Sequence, residues 1–263
     1  KEKTSLRLGA SKTYTLPQAK EISPYRYVGV NFNSQGNPNL KPSDHYNLDL
    51  KWDFNPTPTE LISLTAFYKL IKNPISRIEV ASAGGYLSYE NIADKATVAG
   101  VEVEIRKNLF VRPVSNAAHG MNKLSLGLNG SYIYTNAKMP LATVTTGSQL
   151  EGAAPWIVNF DLSHNFTKGK RSFVNTLVLN YVSDKIYTIG TQGYQDMMEQ
   201  GILTLDFVSQ AKLNKHLSLN LKARNLLNPS YKLSRKANEN GEKVILNDYK
   251  KGINISLGVS CTF

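Results

Sequence analysis

"HYNLDLKWDF" (residues 45–54) alternates without a break. In an extended chain Tyr46, Leu48, Leu50, Trp52 and Phe54 point one way, and Asn47, Asp49, Lys51 and Asp53 the other. The segment is a strand with one greasy and one charged face. Placing those charges in a dry core would cost several kcal/mol each, so their face is wet. What covers the apolar face then decides the fold: the second sheet of a soluble sandwich, or lipid.

The pattern recurs on both sides of this stretch. "TSLRLGAS" sets Leu6, Leu8 and Ala10 against Arg7, and "LISLTAFYK" offers Ile62, Leu64, Ala66 and Tyr68. "AGVEVEIRK" sets Val101, Val103 and Ile105 against Glu102, Glu104 and Arg106. "KLSLGLNGSYIYT" carries Leu124, Leu126, Leu128, Tyr132 and Tyr134 on one face, and "PWIVNFDLSHNF" carries Trp156, Val158, Phe160 and Leu162 opposite Asp161. "NTLVLNYVS", "LTLDFVSQAKL", "LSLNLKARN" with Arg224, and "INISLGVSCTF" follow, the second of these being the least regular. That makes about ten segments near the length of a tilted membrane-spanning strand.

The connections alternate too. "NPTPTE", "TKGKR" and "NKH" are short, and "NLFVRPVSNAAHGMN" is somewhat longer. Those around residues 13–44, 70–97, 135–153, 184–201 and 226–251 are long and rich in Gly, Asn, Ser, Lys and Tyr. Short and long ends therefore fall on opposite sides of one sheet. This is the layout of an outer-membrane barrel with tight periplasmic turns and long extracellular loops. On that assignment Trp52, Phe54, Phe166 and Phe263 mark the periplasmic interface, and Tyr46, Tyr68, Tyr134, Trp156 and Tyr181 the extracellular one. A soluble sandwich would leave five long loops sharing one end, which disfavours it.

Composition agrees. Of the 263 residues, 41% are hydrophobic and mean hydropathy is −0.30, low for a membrane helix protein. No run approaches the roughly 20 apolar residues of a spanning helix, yet a barrel strand hides its apolar half between polar residues. One cysteine excludes an internal disulfide. The net charge of +11 and pI near 9.5 are spread without a dense basic stretch. That points to lipopolysaccharide phosphates or an anionic solute rather than nucleic acid. The opening "KEKTSLRLGAS" reads as a strand without the apolar core of a signal peptide, as expected of a mature product or of a piece of a longer protein.

Several blocks resemble TonB-dependent outer-membrane receptors of the Bacteroidetes type. "RLGASKTYTLPQAKEISPY" is similar to that family's "R-x-x-x-S-x-T … R-P-x-x-R-E-x-x-P" stretch, and "GNPNLKPSDHYNLDLKWDF" to its "NPxLKPE…N-x-(D/E)-L" block. "LISLTAFYKLIKNPI", "YENIADKATVAGVEVEIRKNL" and "LNLKARNLLNPSY" resemble later blocks in the same order. Leu16 and Lys20 depart from the usual arginines, and Cys261 from a larger residue. The resemblance implies an all-β antiparallel barrel of about 22 strands, of which residues 1–263 supply about the last ten. It also implies a plug domain and earlier strands absent from this chain, and coupling to the TonB protein. Ser256, Gly258, Cys261 and Phe263 look like the terminal signal read by the barrel-assembly machinery. A surface lipoprotein is a further partner the resemblance allows.

For chemistry the chain offers little. His45, His119, His164 and His216 lack metal-site spacing, no nucleophile elbow, phosphate loop or zinc-protease motif occurs, and no enzyme, metal or cofactor is expected. Glu102 and Glu104 read as a solvated wall paired with Arg106. Arg7, Lys51, Asp53, Glu102, Glu104, Arg106, Asp161 and Arg224 are expected to line the lumen. Recognition candidates sit in the long loops: Tyr25, Arg26, Tyr27, Tyr86, Tyr89, Tyr194, Met197 and Met198. Two functions follow: active import of an iron chelate, oligosaccharide or peptide, or a docking barrel that has lost transport.

Overall fold

The computed structural model describes residues 3–82, 85–114, 120–139, 148–237 and 241–262. Its first half comprises β1 (Thr4–Thr15), the helical turn α1 (Ala19–Ile22), β2 (Arg26–Tyr27), β3 (Ser34–Gln35), β4 (Ser43–Phe54), β5 (Leu61–Lys72), β6 (Ile75–Val80), β7 (Tyr86–Asn91) and β8 (Lys95–Pro113). The second half comprises β9 (Met121–Ala137), β10 (Trp156–Lys168), β11 (Arg171–Val182), β12 (Lys185–Thr188), β13 (Met197–Glu199), β14 (Ile202–Lys212), β15 (Leu217–Arg224), β16 (Ser230–Lys236), β17 (Lys243–Lys250) and β18 (Asn254–Cys261). All ten alternating segments of the sequence become strands of one antiparallel sheet, ordered β1-β4-β5-β8-β9-β10-β11-β14-β15-β18.

Register keeps like with like. Leu8 faces Leu50, then Ala66, Val101, Tyr132 and Trp156 across successive strands. The row drifts from the middle of β1 to the start of β10, the stagger of tilted strands. One residue away, Arg7, Lys51, Thr65, Glu102 and Ser131 form the polar row. A slip of one residue would exchange the two faces, so lipid on one side and water on the other pin the pairing. All eight expected lumen residues lie on the polar face.

That face holds its charges by pairing. Asp53 is buried and meets Arg7 at 3.3 Å and Lys51 at 3.7 Å, while Glu104 meets Arg106 at 2.7 Å. Asp161 lies across Gly127, where an added Cβ would stand 2.0 Å from its Oδ1. Glycine at 127 is thus a seat for a neighbouring carboxylate. On the outer face the expected aromatic girdles are present: Trp52 stacks on Phe54 with centroids 6.3 Å apart, and Tyr132 meets Trp156 at 4.6 Å.

Short connections, at residues 55–60, 114–120, 169–170 and 213–216, share one end of the sheet. The fourth of the long strands, β8, runs to Pro113, and β9 begins at Met121, so the link expected to be longer shrinks. A bulge between Asn108 and Phe110 lets the pair extend. The long connections differ from the loops expected of them. They build two further four-stranded sheets, β2-β3-β7-β6 and β12-β13-β16-β17, above the other end. Within β18, Ser256 and Gly258 face inward and Cys261 is exposed on the outer side; Phe263 and His119 lie outside the described residues. Strands β1 and β18 are the sheet's edges. Leu8 and Leu257 there are 73% and 71% exposed, against 44% for Leu50 one strand inside.

The two faces predict opposite tolerances. In the intact protein, Leu50→Arg on the outer face should destabilise the barrel by about 2–4 kcal/mol, and Thr65→Arg on the inner face by much less. Urea-dependent folding into lipid vesicles measures both.

Candidate functional site

A sheet with lipid on one face and water on the other has no core of its own, and the buried apolar residues gather above it. Ile78, Ile92, Ala93, Ala96, Ala137, Leu150, Ile186 and Ile189 form one cluster, drawn from three of the long connections and the strand ends beneath them. The two upper sheets join through a parallel bridge between Ile78 and Ile189. Glu79 N–H donates to the Ile189 carbonyl at 3.1 Å, and Ile189 N–H to the Arg77 carbonyl at 3.0 Å. The long connections therefore form a packed cap over the lumen mouth.

Ion pairs lock the same joint. Arg77 donates from Nε (3.1 Å) and Nη2 (2.7 Å) to Glu151 Oε1, and its backbone N–H reaches Oε2 at 2.5 Å. Arg235 pairs with Glu79, tying β16 to β6. Both guanidinium groups also lie over rings, Arg77 above Tyr187 at 4.1 Å and Arg235 above Tyr194 at 5.2 Å. Arg is suited to this double role, offering a planar fork at its edge and a flat face for stacking.

Among the concavities of the cap, two carry aromatic or cationic walls. One, of about 150 Å³, has Tyr187, Tyr231 and Tyr249 on its walls together with Asn31, Asn247 and Glu199. Tyr231 and Tyr249 are cross-strand partners stacked at 5.4 Å, and Lys251 sits 3.9 Å above Tyr231. The other, of about 200 Å³, carries Arg235, Lys236 and Lys243 beside Ser234, with Asp196 as its one acid. The Ser234 hydroxyl and Arg235 Nε are buried without a hydrogen-bond partner among the described residues. Unpaired buried polar groups are costly, so groups like these are ready to bind an incoming acceptor. Aromatic faces and cations together suit a solute that is flat or ringed in one part and negatively charged in another.

The loop residues singled out from sequence divide. Arg26 lies over Tyr86 at 5.7 Å, and Lys20 over Tyr27 at 5.6 Å, while Tyr25 is mostly exposed. Tyr89 is half-buried and its carbonyl accepts from Asn37 Nδ2 at 3.0 Å. Tyr194 stands at the cap surface under Arg235. The methionines behave otherwise. Met197 is 2% exposed and Met198 packs against the apolar cluster, because β13 is held between β12 and β16. Met197 is a packing residue rather than a contact offered to a ligand. Sequence reasoning missed Tyr187, Tyr231, Tyr249, Arg77 and Arg235. The alternating runs on either side of the Asn-Gly pair at residues 240–241 were the available signal for β16 and β17.

Known proteins share this architecture. Residues 1–226 match the family model described as TonB dependent receptor-like, beta-barrel. The chain belongs to the TonB-dependent receptor barrel family. The iron-regulated outer membrane virulence protein of Vibrio cholerae serotype O1 is 25% identical over 208 residues, 75% of this chain and 29% of that protein. Among solved structures, the copper transporter OprC superposes with a TM-score of 0.64 at 14% identity, covering 99% of this chain and 37% of its own. A ferric enterobactin receptor mutant of Pseudomonas aeruginosa in complex with enterobactin gives 0.60 at 17%, covering 100% and 39%. The siderophore receptor PirA of Acinetobacter baumannii gives 0.60 at 16%, covering 99% and 39%. The chain thus spans less than a third of the curated relatives it matches and under two fifths of these structures. It is an outer-membrane protein.

Two measurements probe the cap. Glu151→Ala should cost about 1.5–3 kcal/mol of local stability, the worth of hydrogen bonds to a charged group. Hydrogen exchange would then quicken in β6 and residues 148–155 while β8–β11 stay protected. Burial also holds the Glu90 carboxyl above its usual value. A raised carboxyl value means that the folded cap binds the proton more tightly than the unfolded chain, so stability falls as pH rises through the ordinary carboxylate range and on to the raised value. Glu90→Gln is expected to slow cap opening at pH 7 and to leave it unchanged at acid pH, read by exchange at both.

Proposed function

We propose that the intact protein imports a scarce solute across the outer membrane, captured by the cap and released inward through movement of a plug driven by TonB. The observation that carries this reading is the cap itself, a packed double sheet with a tyrosine cleft and a cationic cavity over a charged lumen wall. In this reading residues 1–263 supply the last ten strands of a barrel of about 22, and the open edges at β1 and β18 are closed by strands the chain does not contain. Hydrocarbon supports the inference, since each unpaired edge group there costs several kcal/mol. A plug, the earlier strands, the barrel-assembly machinery and lipopolysaccharide are the partners it requires. The solute binds Arg26, Tyr86 and Tyr194 together with Tyr231 and Tyr249. A negatively charged metal chelate fits the cation-lined cavity better than a neutral oligosaccharide or peptide, in keeping with the names of the relatives.

A second reading is a docking barrel. It draws on the loop after β2, where Val28 and Val30 are almost fully exposed, a surface that suits a protein lid such as a surface lipoprotein. The two separate in cells carrying or lacking the protein. The importer predicts growth and uptake on one iron chelate, lost when the proton gradient is dissipated or TonB is deleted. It also predicts at least a tenfold weaker affinity in Tyr231→Ala, since stacking and hot-spot contacts exceed about 1.4 kcal/mol. Uptake of no chelate, sugar or peptide, with a partner protein recovered in fixed ratio, would establish the docking barrel.

A further inference from the structure

Among the described residues the outer wall departs from its apolar rule near the short-turn ends of β8–β11, where Lys107 also has outward parity, opposite Leu126. Asn122, His164, Asn175 and Ser209 all share the parity of the lipid-facing leucines. His164, Asn175 and Ser209 follow one another at a single level, with Leu124 and Leu221 on either side. They are paired sideways, His164 Nε2 with Asn122 Oδ1 at 2.8 Å and Ser209 Oγ donating to Asn175 Oδ1 at 2.7 Å. One outward step toward the turn comes an aromatic layer, Phe166 and Phe173, with centroids 6.4 Å apart. Asn122 is level with Phe166, whereas His164, Asn175 and Ser209 lie on the hydrocarbon side of the Phe166–Phe173 layer, where ionisable and amide side chains are rare and signal a function.

At the level of the rings and beyond them the charge is all of one sign. Lys168, Lys170 and Arg171 form the β10–β11 turn, and Arg112 stands beside Asn122 over the ring of Phe110 at 5.6 Å. These four side chains are exposed and make no ion pair with any described residue. Residues 105–126 and 162–183 contain no Asp or Glu. The neighbouring turn at residues 55–60 differs, since its Glu60 neutralises Lys107 at 3.1 Å. Cations at headgroup level, rings at the interface and amide groups just inside it repeat the order of a phospholipid: phosphate, glycerol, ester carbonyls.

We propose that the outer face of β8–β11 binds an anionic phospholipid of the periplasmic leaflet. The headgroup phosphate meets Lys168, Lys170, Arg171 and Arg112, and the ester carbonyls accept from the His164 and Asn175 row. Charge complementarity selects the occupant: four unpaired cations with no acid favour a phosphate over zwitterionic lipid or a second copy of this basic surface. Position selects its leaflet, because the short turns face the periplasm. The site is independent of which solute is carried.

The test uses the intact receptor in vesicles of phosphatidylcholine containing or lacking phosphatidylglycerol, with native mass spectrometry of the lipids it retains. Wild type is expected to retain phosphatidylglycerol several-fold over phosphatidylcholine, with the preference shrinking in high salt. The triple variant Lys168→Gln, Lys170→Gln, Arg171→Gln should retain both equally. Lys170→Gln alone, at the turn tip, should lower the preference in part and serves if the triple variant fails to insert. Ether-linked phosphatidylglycerol, which lacks the ester carbonyls, should be held less well. Equal retention by wild type, an undiminished preference in the variants, or a protein instead of lipid cross-linked to position 170 would overturn the proposal. Equal holding of ether and ester lipid would overturn the part assigned to the polar row.

Discussion

Hydrocarbon offers a backbone no hydrogen bonds, and the rest of this structure follows from that constraint. Each N–H and C=O in the spanning region must find its partner within the sheet. Ten antiparallel strands, with one bulge between Asn108 and Phe110, meet the requirement along the sheet and leave open the outer sides of β1 and β18. The same constraint fixes the side chains. With lipid on one face and a wet lumen on the other, a strand that keeps period two keeps both solvents satisfied, and register cannot slip without exchanging them.

Such a wall is only one layer thick and has no interior. The apolar packing that a globular protein keeps at its centre has moved to the cap, where Ile78, Ile189 and their neighbours bring together connections far apart in the chain. Arg77–Glu151 and Arg235–Glu79 close that joint with partly buried charges. Pairs of this kind add less to stability than their Coulomb energy suggests, since both ions lose water, but removing one partner strands the other. They therefore fix which loops lie together.

The wall also carries information on its outer side. Girdles of Trp, Tyr and Phe set its depth, and the row of Asn122, His164, Asn175 and Ser209 stands out because its neighbours at the same parity are Leu and Phe. Polar residues in water need no explanation, whereas polar residues facing lipid do.

By itself the sequence determined the spanning strands, their facing and the alternation of short and long ends, because one rule of period two repeats through every crossing. The charges of the polar face, from Arg7 to Arg224, share one parity for the same reason. Only the tertiary structure decided the cap. Its strands are short, as brief as three residues in Met197–Glu199, and their pairing partners lie in other connections, so no local period announces them. Met197 looked like a loop contact and is interior because β13 lies between strands from two different segments. Tyr231 and Tyr249 become a single stacked surface only when β16 and β17 pair, and Arg77 meets Glu151 across 74 positions of chain. Contacts of that range are set by which connections the barrel wall brings side by side, and that neighbourhood is written in the fold rather than in any one stretch of residues.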